Sequence, residues 1–123
     1  MLLKNKKKSN VQEKKAEPAR KDTSPYNPAE QSVDQLIRDL KDPNEFIRST
    51  AAGTLGHLKS QKAVEPLIQA LKDKHIWVRH GAAWALGEIK SEKAIEPLRQ
   101  SLSDEDEITR GKAAEALGKI QGY

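Results

Sequence analysis

Three histidines, His57, His75 and His80, and three Asp/Arg pairs, Asp42/Arg48, Asp73/Arg79 and Asp104/Arg110, carry most of the reactive chemistry of this 123-residue chain. Imidazoles suit metal binding or proton transfer. The spacing of these three, however, places His57 and His80 on different helices and His75 near a turn, so each reads as a solvated or hydrogen-bonded ring. The Asp/Arg pairs keep one six-residue separation. A structural use fits them best: the aspartate accepts hydrogen bonds at a turn, and the arginine bridges it to a neighbouring unit. No cysteine is present, which removes disulfides, thiolate metal sites and thiol nucleophiles. No GxSxG, P-loop or HExxH pattern occurs. The sequence therefore predicts no catalytic residues, no metal and no cofactor.

The elements that hold these residues come from an internal repeat. Residues 32–62, 63–93 and 94–123 align without gaps at a 31-residue period. The first half of each unit carries apolar residues at helical spacing: Val33, Leu36, Ile37 and Leu40, then Val64, Leu67, Ile68 and Leu71, then Ile95, Leu98 and Leu102. A turn follows at Asp42, Asp73 and Asp104. The second half is helical again, with Val78, Ala82, Leu86 and Ile89 as the clearest stripe. Each unit is thus a helical hairpin unable to bury its own apolar face, and stacking three of them makes a continuous core. Gly56, Gly87 and Gly118 recur in register, which predicts close contact between the second helices of neighbouring units. Pro66 and Pro97 fall about one turn past the expected caps Ser60 and Ser91, where a kinked first helix is expected.

Charge is unevenly placed. The first 31 residues hold eight Lys or Arg against four Asp or Glu, whereas the rest of the chain is balanced. Residues 1–26, with few apolar groups, read as a basic disordered tail. It is suited to solubilising the chain or to weak electrostatic contact with an anionic surface. Order is expected over residues 27–123, opened by Asn27 as a cap and Pro28 at the first helical position. No apolar run reaches the ~18 residues of a membrane span, and nothing at the N-terminus resembles a signal peptide. A soluble, cytoplasmic protein is the resulting expectation.

The pattern LxDxxxxVRxxAAxALGxI, read in "LKDKHIWVRHGAAWALGEI", together with the preceding "AVEPL" and "AIEPL", resembles the HEAT repeats of the phycobilisome-lyase type. The resemblance covers residues 32–123. It implies an all-α fold, a short right-handed α-solenoid of three antiparallel helix pairs with the second helices lining a concave face. It also implies that Asp42, Asp73 and Asp104 form a ladder between units with Arg48, Arg79 and Arg110. A di-iron hydroxylase built from similar repeats carries His-Glu pairs where this chain has His80-Gly81, Ser49-Thr50 and Gly111-Lys112. The ligand set is therefore missing. Lyases of this repeat class join a bilin to an antenna protein, which leaves a small lyase-like or chaperone-like subunit for a tetrapyrrole protein as the alternative function.

Comparison between units separates core from surface. Phe46, Trp77 and Ile108 share one repeat position that is always large and apolar, so Trp77 is expected to be at least half buried. Trp84 has Gly53 and Glu115 as equivalents, which marks it as surface. His80, Gly81, Trp84 and Glu88 fall on one stripe with the edge of Trp77. Gly81 is expected to leave a dip beside Trp84. A groove formed by these residues, flanked by Lys112 and Glu115, suits a peptide or helix of a partner protein. The competing reading is that Trp84 covers its neighbours' alanines and fills space. Arg99, Ser101 and Thr109 replace apolar or small residues of the earlier units, which reads as a polar end cap to a complete three-unit protein. Leu117 and Ile120 are expected to lack a cover there, which keeps an end-to-end dimer open.

Overall fold

The computed structural model describes residues 28–122. The basic stretch 1–26 and the Asn27 cap lie outside the described residues. Six α-helices follow in order: α1 (Pro28–Asp39), α2 (Glu45–Leu58), α3 (Val64–Ala70), α4 (Ile76–Ile89), α5 (Ile95–Ser101) and α6 (Glu107–Gln121). Among the described residues there is no strand, and the fold is all-α. Each odd-numbered helix packs on the even-numbered helix that follows it, and α2, α4 and α6 pack on one another in sequence. The result is a small helical solenoid of three hairpins.

Each hairpin turns on the same chemistry. Asp42, Asp73 and Asp104 accept, through Oδ1, the backbone amide two residues on, at 2.8, 2.9 and 2.8 Å. The next helix is then capped by the side chain at one repeat position: Asn44, His75 and Asp106. These caps meet amides of the first helical turn that have no partner inside the helix. At the other end, α2 and α4 stop at Lys59 and Lys90 in the left-handed region, with φ of 52° and 63°.

The two prolines do not kink a continuous helix as expected. Gln61–Ala63 and Glu92–Ala94 are 3-10 turns, and the α-helix restarts after them at Val64 and Ile95. Pro66 and Pro97 are then third residues of new helices. An amide there would have no intrahelical acceptor, so its absence costs nothing.

The core is a layer of leucine between helices of small residues. Leu55, Leu67, Leu86 and Leu98 are fully buried, and Ala51, Ala52, Ala82, Ala83, Ala85, Ala113 and Ala116 fill the seams between second helices. Leu117 is also buried, at 4% exposure. This corrects the expectation of an uncovered Leu117, while Ile120 is partly buried against the core. Thr109 and Ser101 correct a second expectation, because both are buried instead of forming a polar outer face. Their hydroxyls donate to Asp106 Oδ2 at 2.9 Å and to the Pro97 carbonyl at 3.3 Å.

Candidate interaction face

Small residues bring the second helices close enough to touch backbone to backbone. A Cβ added to Gly56 would lie 2.8 Å from Ala85 Cα, and one added to Gly87 would lie 2.8 Å from Ala116 Cα. First helices meet mainly through their own partners and the 3-10 turns. The close contacts between units thus run along the second helices, which together make one face of the stack.

On that face α4 presents Trp77, His80, Gly81, Trp84 and Glu88, but the structure gives most of them partners inside the stack. His80 Nε2 lies 2.6 Å from Asp106 Oδ2, the carboxylate that caps α6, with both side chains largely buried. Asp106 also accepts from Thr109 N at 2.8 Å. The His80 hydrogen bond first, then those from Thr109, hold the Asp106 carboxyl down at about 2. His80 is thus a bolt between the second and third units, a correction to its reading as open surface. Asp106 was not singled out from the sequence. Its signal was available: it occupies the capping position shared with Asn44 and His75, and asparagine and aspartate are preferred caps.

Glu88 is ion-paired with Lys119 of the following unit, and that hydrogen bond holds its carboxyl below the ordinary value. Gly81 leaves no dip. A Cβ there would lie 3.2 Å from Ala52 Cβ and 3.4 Å from the Ser49 carbonyl oxygen, so the glycine serves packing of α4 against α2. Trp84 is half-buried, packed against the core. Its Cζ3 occupies the space beside Gly56, and its ring meets His57 edge-on at 4.9 Å between centroids. Lys112 is half-buried and Glu115 is exposed on α6.

Trp77 departs from expectation in the other direction. It is 57% exposed, while Phe46 and Ile108 at the same repeat position are 67% and 56% exposed. These three stand near the N-termini of α2, α4 and α6, one per unit, beside the partly exposed Ile47 and Ile76. A recurring large apolar residue here means a recurring surface, since the position falls before the helices converge on the core. The ring of Trp77 meets that of His75, a local neighbour, at 5.3 Å between centroids.

Behind this row runs the chain of Asp and Arg residues. Arg48 donates Nε and Nη2 to both carboxylate oxygens of Asp73, at 2.8 and 3.0 Å, and Nη1 to the carbonyl of Asp42 at 2.8 Å. Arg79 pairs with Asp104, Nε to Oδ2 3.0 Å, and donates to the Asp73 carbonyl at 2.8 Å. Arg110 donates to the Asp104 carbonyl at 2.8 Å. Burial raises the Asp73 carboxyl, but the Arg48 guanidinium and the His75 amide outweigh it and leave it below the usual carboxylate range. The hydrogen bond to Asp73 likewise raises Arg48 against its desolvation. The bidentate Arg48–Asp73 pair fixes angle as well as distance between the first and second units, whereas Arg79 reaches Asp104 by a single hydrogen bond, Nη2 to Oδ1 at 3.3 Å.

A cleft of about 450 Å³ opens on the other side, between α3 and α5, over Ile68, Leu71 and Pro97. Its inner wall is Asp73, Arg79 and Asp104, whose charges are already engaged with one another or with Arg48. Among the described residues no group of three or more His, Asp or Glu is placed to hold a metal ion, and no helix is long and apolar enough to cross a membrane. No curated protein matches the chain. Residues 33–118, spanning all three hairpins, match the HEAT repeats, and the chain belongs to the HEAT-repeat family.

Proposed function

We propose that this chain is a non-enzymatic scaffold that binds a segment of a partner protein across its second helices. HEAT repeats generally mediate protein-protein interaction. The observation that carries the reading is the row Phe46, Trp77 and Ile108, each more than half exposed on successive units. Large apolar side chains, two of them rings, left in water at three equivalent places cost solubility without stabilising the fold, and such residues dominate binding energy when a partner covers them. The contact surface therefore centres on Trp77, with Lys112 and Glu115 at its margin. His80, Gly81, Trp84 and Glu88 hold the surface in shape from beneath. The basic residues 1–26 add long-range attraction to an anionic surface.

Panning a random peptide library against the intact protein tests this. Selected peptides are expected to lose at least tenfold in affinity for Trp77→Ala and for Phe46→Ser, and to bind Glu92→Ala, on an exposed 3-10 turn, as they bind the parent. Peptides indifferent to both row substitutions would overturn the reading.

A further inference from the structure

We propose that the row Phe46, Trp77 and Ile108 is shaped for one class of partner: an amphipathic helix with apolar residues seven apart and a cation beside the first and third of them. This rests on the scaffold reading above and goes further by fixing the geometry and charge of the occupant.

Spacing comes first. Packed helices lie ~8–10 Å apart, so successive members of the row repeat at about that distance. An α-helix rises ~1.5 Å per residue, so seven residues advance about 10 Å and return to nearly the same face. A helix laid across α2, α4 and α6 therefore sets every seventh residue on a row member. A β-strand covers the same distance in about three residues, an odd number that turns alternate contacts away from the row. A polyproline helix also repeats near 9 Å, yet it docks in aromatic-lined grooves. Ile108 is aliphatic, and among the described residues the ring beside Trp77 is that of His75.

Charge then separates a basic helix from a neutral one. Glu45 and Glu107, both exposed, immediately precede Phe46 and Ile108, while the equivalent middle position is Ile76. Exposed Lys74 stands by the middle unit. Cations are thus favoured at the two ends of the row and disfavoured at its centre. Area argues against a second copy as occupant. An aromatic side chain offers ~150–250 Å², and three partly exposed residues fall well short of the ~800 Å² per partner of a stable dimer.

The probe is a synthetic capped helix of about 17 residues, enough to span three row positions. It carries leucine at seven-residue intervals and lysine within a turn of the first and third leucines. Fluorescence anisotropy with the intact protein is expected to show at least tenfold tighter binding than for two controls: the same composition with leucines five apart, and the lysines replaced by glutamate. The double variant Glu45→Lys/Glu107→Lys is expected to reverse the preference between lysine and glutamate probes. A merely structural role for these exposed glutamates would not produce that reversal.

Equal binding of probe and controls overturns the proposal, as does tighter binding of a proline-rich peptide. Displacement of the probe by a peptide of residues 1–27 overturns it in favour of the chain's own N-terminal segment. Concentration-dependent dimers abolished by Trp77→Asp overturn it in favour of a second copy. If library peptides depend on Trp77 and Phe46 while the heptad probe fails, only this inference falls. Should library peptides ignore the row as well, the scaffold reading falls with it.

Discussion

Trp77 and Trp84 lie on one helix, seven residues apart, and should respond oppositely to truncation. Trp84 fills the space over Gly56 and meets the ring of His57, so Trp84→Ala opens a void between the first and second units. A loss of roughly 2–3 kcal/mol is expected, below the range for a fully buried ring because Trp84 is only half-buried. Trp77→Ala removes a side chain that is 57% exposed and should change stability by less than ~0.5 kcal/mol. Urea unfolding of the two variants checks both, and equal losses would show that the rings share one role. Comparing units within the sequence misjudged this pair for a physical reason. Residue type at a repeat position reports the local environment only when every unit supplies the same neighbours. Trp84 is accommodated because the preceding unit offers Gly56 beneath it, a partner that appears in no comparison of Trp84 with Gly53 and Glu115. At Phe46, Trp77 and Ile108 a shared apolar character suggests burial, yet an exposed position recurs from unit to unit just as a core position does. Asp106 shows the reverse failure, since its role needed only the capping position to be recognised.

Between helices, the seams depend on which glycine faces a neighbour. Gly87 sits against the backbone of α6, and a methyl group there would have to push Ala116 away. Gly87→Ala is expected to destabilise by ~1–3 kcal/mol through overpacking. Gly53 has nothing within 4 Å of the added atom and lies in the interior of α2. Gly53→Ala should therefore stabilise by ~0.5–1 kcal/mol, through helix propensity and a less flexible unfolded chain. Thermal unfolding of the two variants should move in opposite directions. A Gly87→Ala protein as stable as the parent would mean that the seam has slack. This level was the most legible in the sequence: the second-helix stripe and the Gly56, Gly87, Gly118 register follow from helical periodicity and the cost of glycine in a helix. The 3-10 turns before Pro66 and Pro97 were not legible, because an apolar pattern continues unchanged across a restarted helix. Only the backbone shows that each proline sits in a first turn.

Across the whole molecule, neighbouring units are held by seams of small residues and by polar joints that differ from one boundary to the next. Arg48 with Asp73 joins the first boundary, and Arg79 with Asp104 joins the second, where His80 and Asp106 add a joint that the first boundary lacks. Stability in such a stack is a sum of unit and boundary terms, so weakening one boundary loosens the units beyond it. Acid should act on the second boundary through Asp106. Its carboxyl is held at about 2 in the folded protein, against ~3.9 for an ordinary aspartate. Below pH ~4 the unfolded chain takes up a proton there that the folded protein refuses, so stability falls as pH falls, until Asp106 is protonated in both states. The contribution is thus fully present above pH ~4 and lost on descending to about 2. Asp106→Asn keeps an oxygen to cap α6 and to meet His80, but it cannot titrate. Relative to this variant, the parent should lose stability more steeply with acid across that window, measured as the shift of the urea midpoint with pH. Amide exchange in α6 should accelerate there before exchange in α2. Parallel pH profiles for the two proteins would show that the joint carries no ionic stabilisation and that the second boundary rests on its alanine seam, the Arg79–Asp104 pair and the Glu88–Lys119 pair.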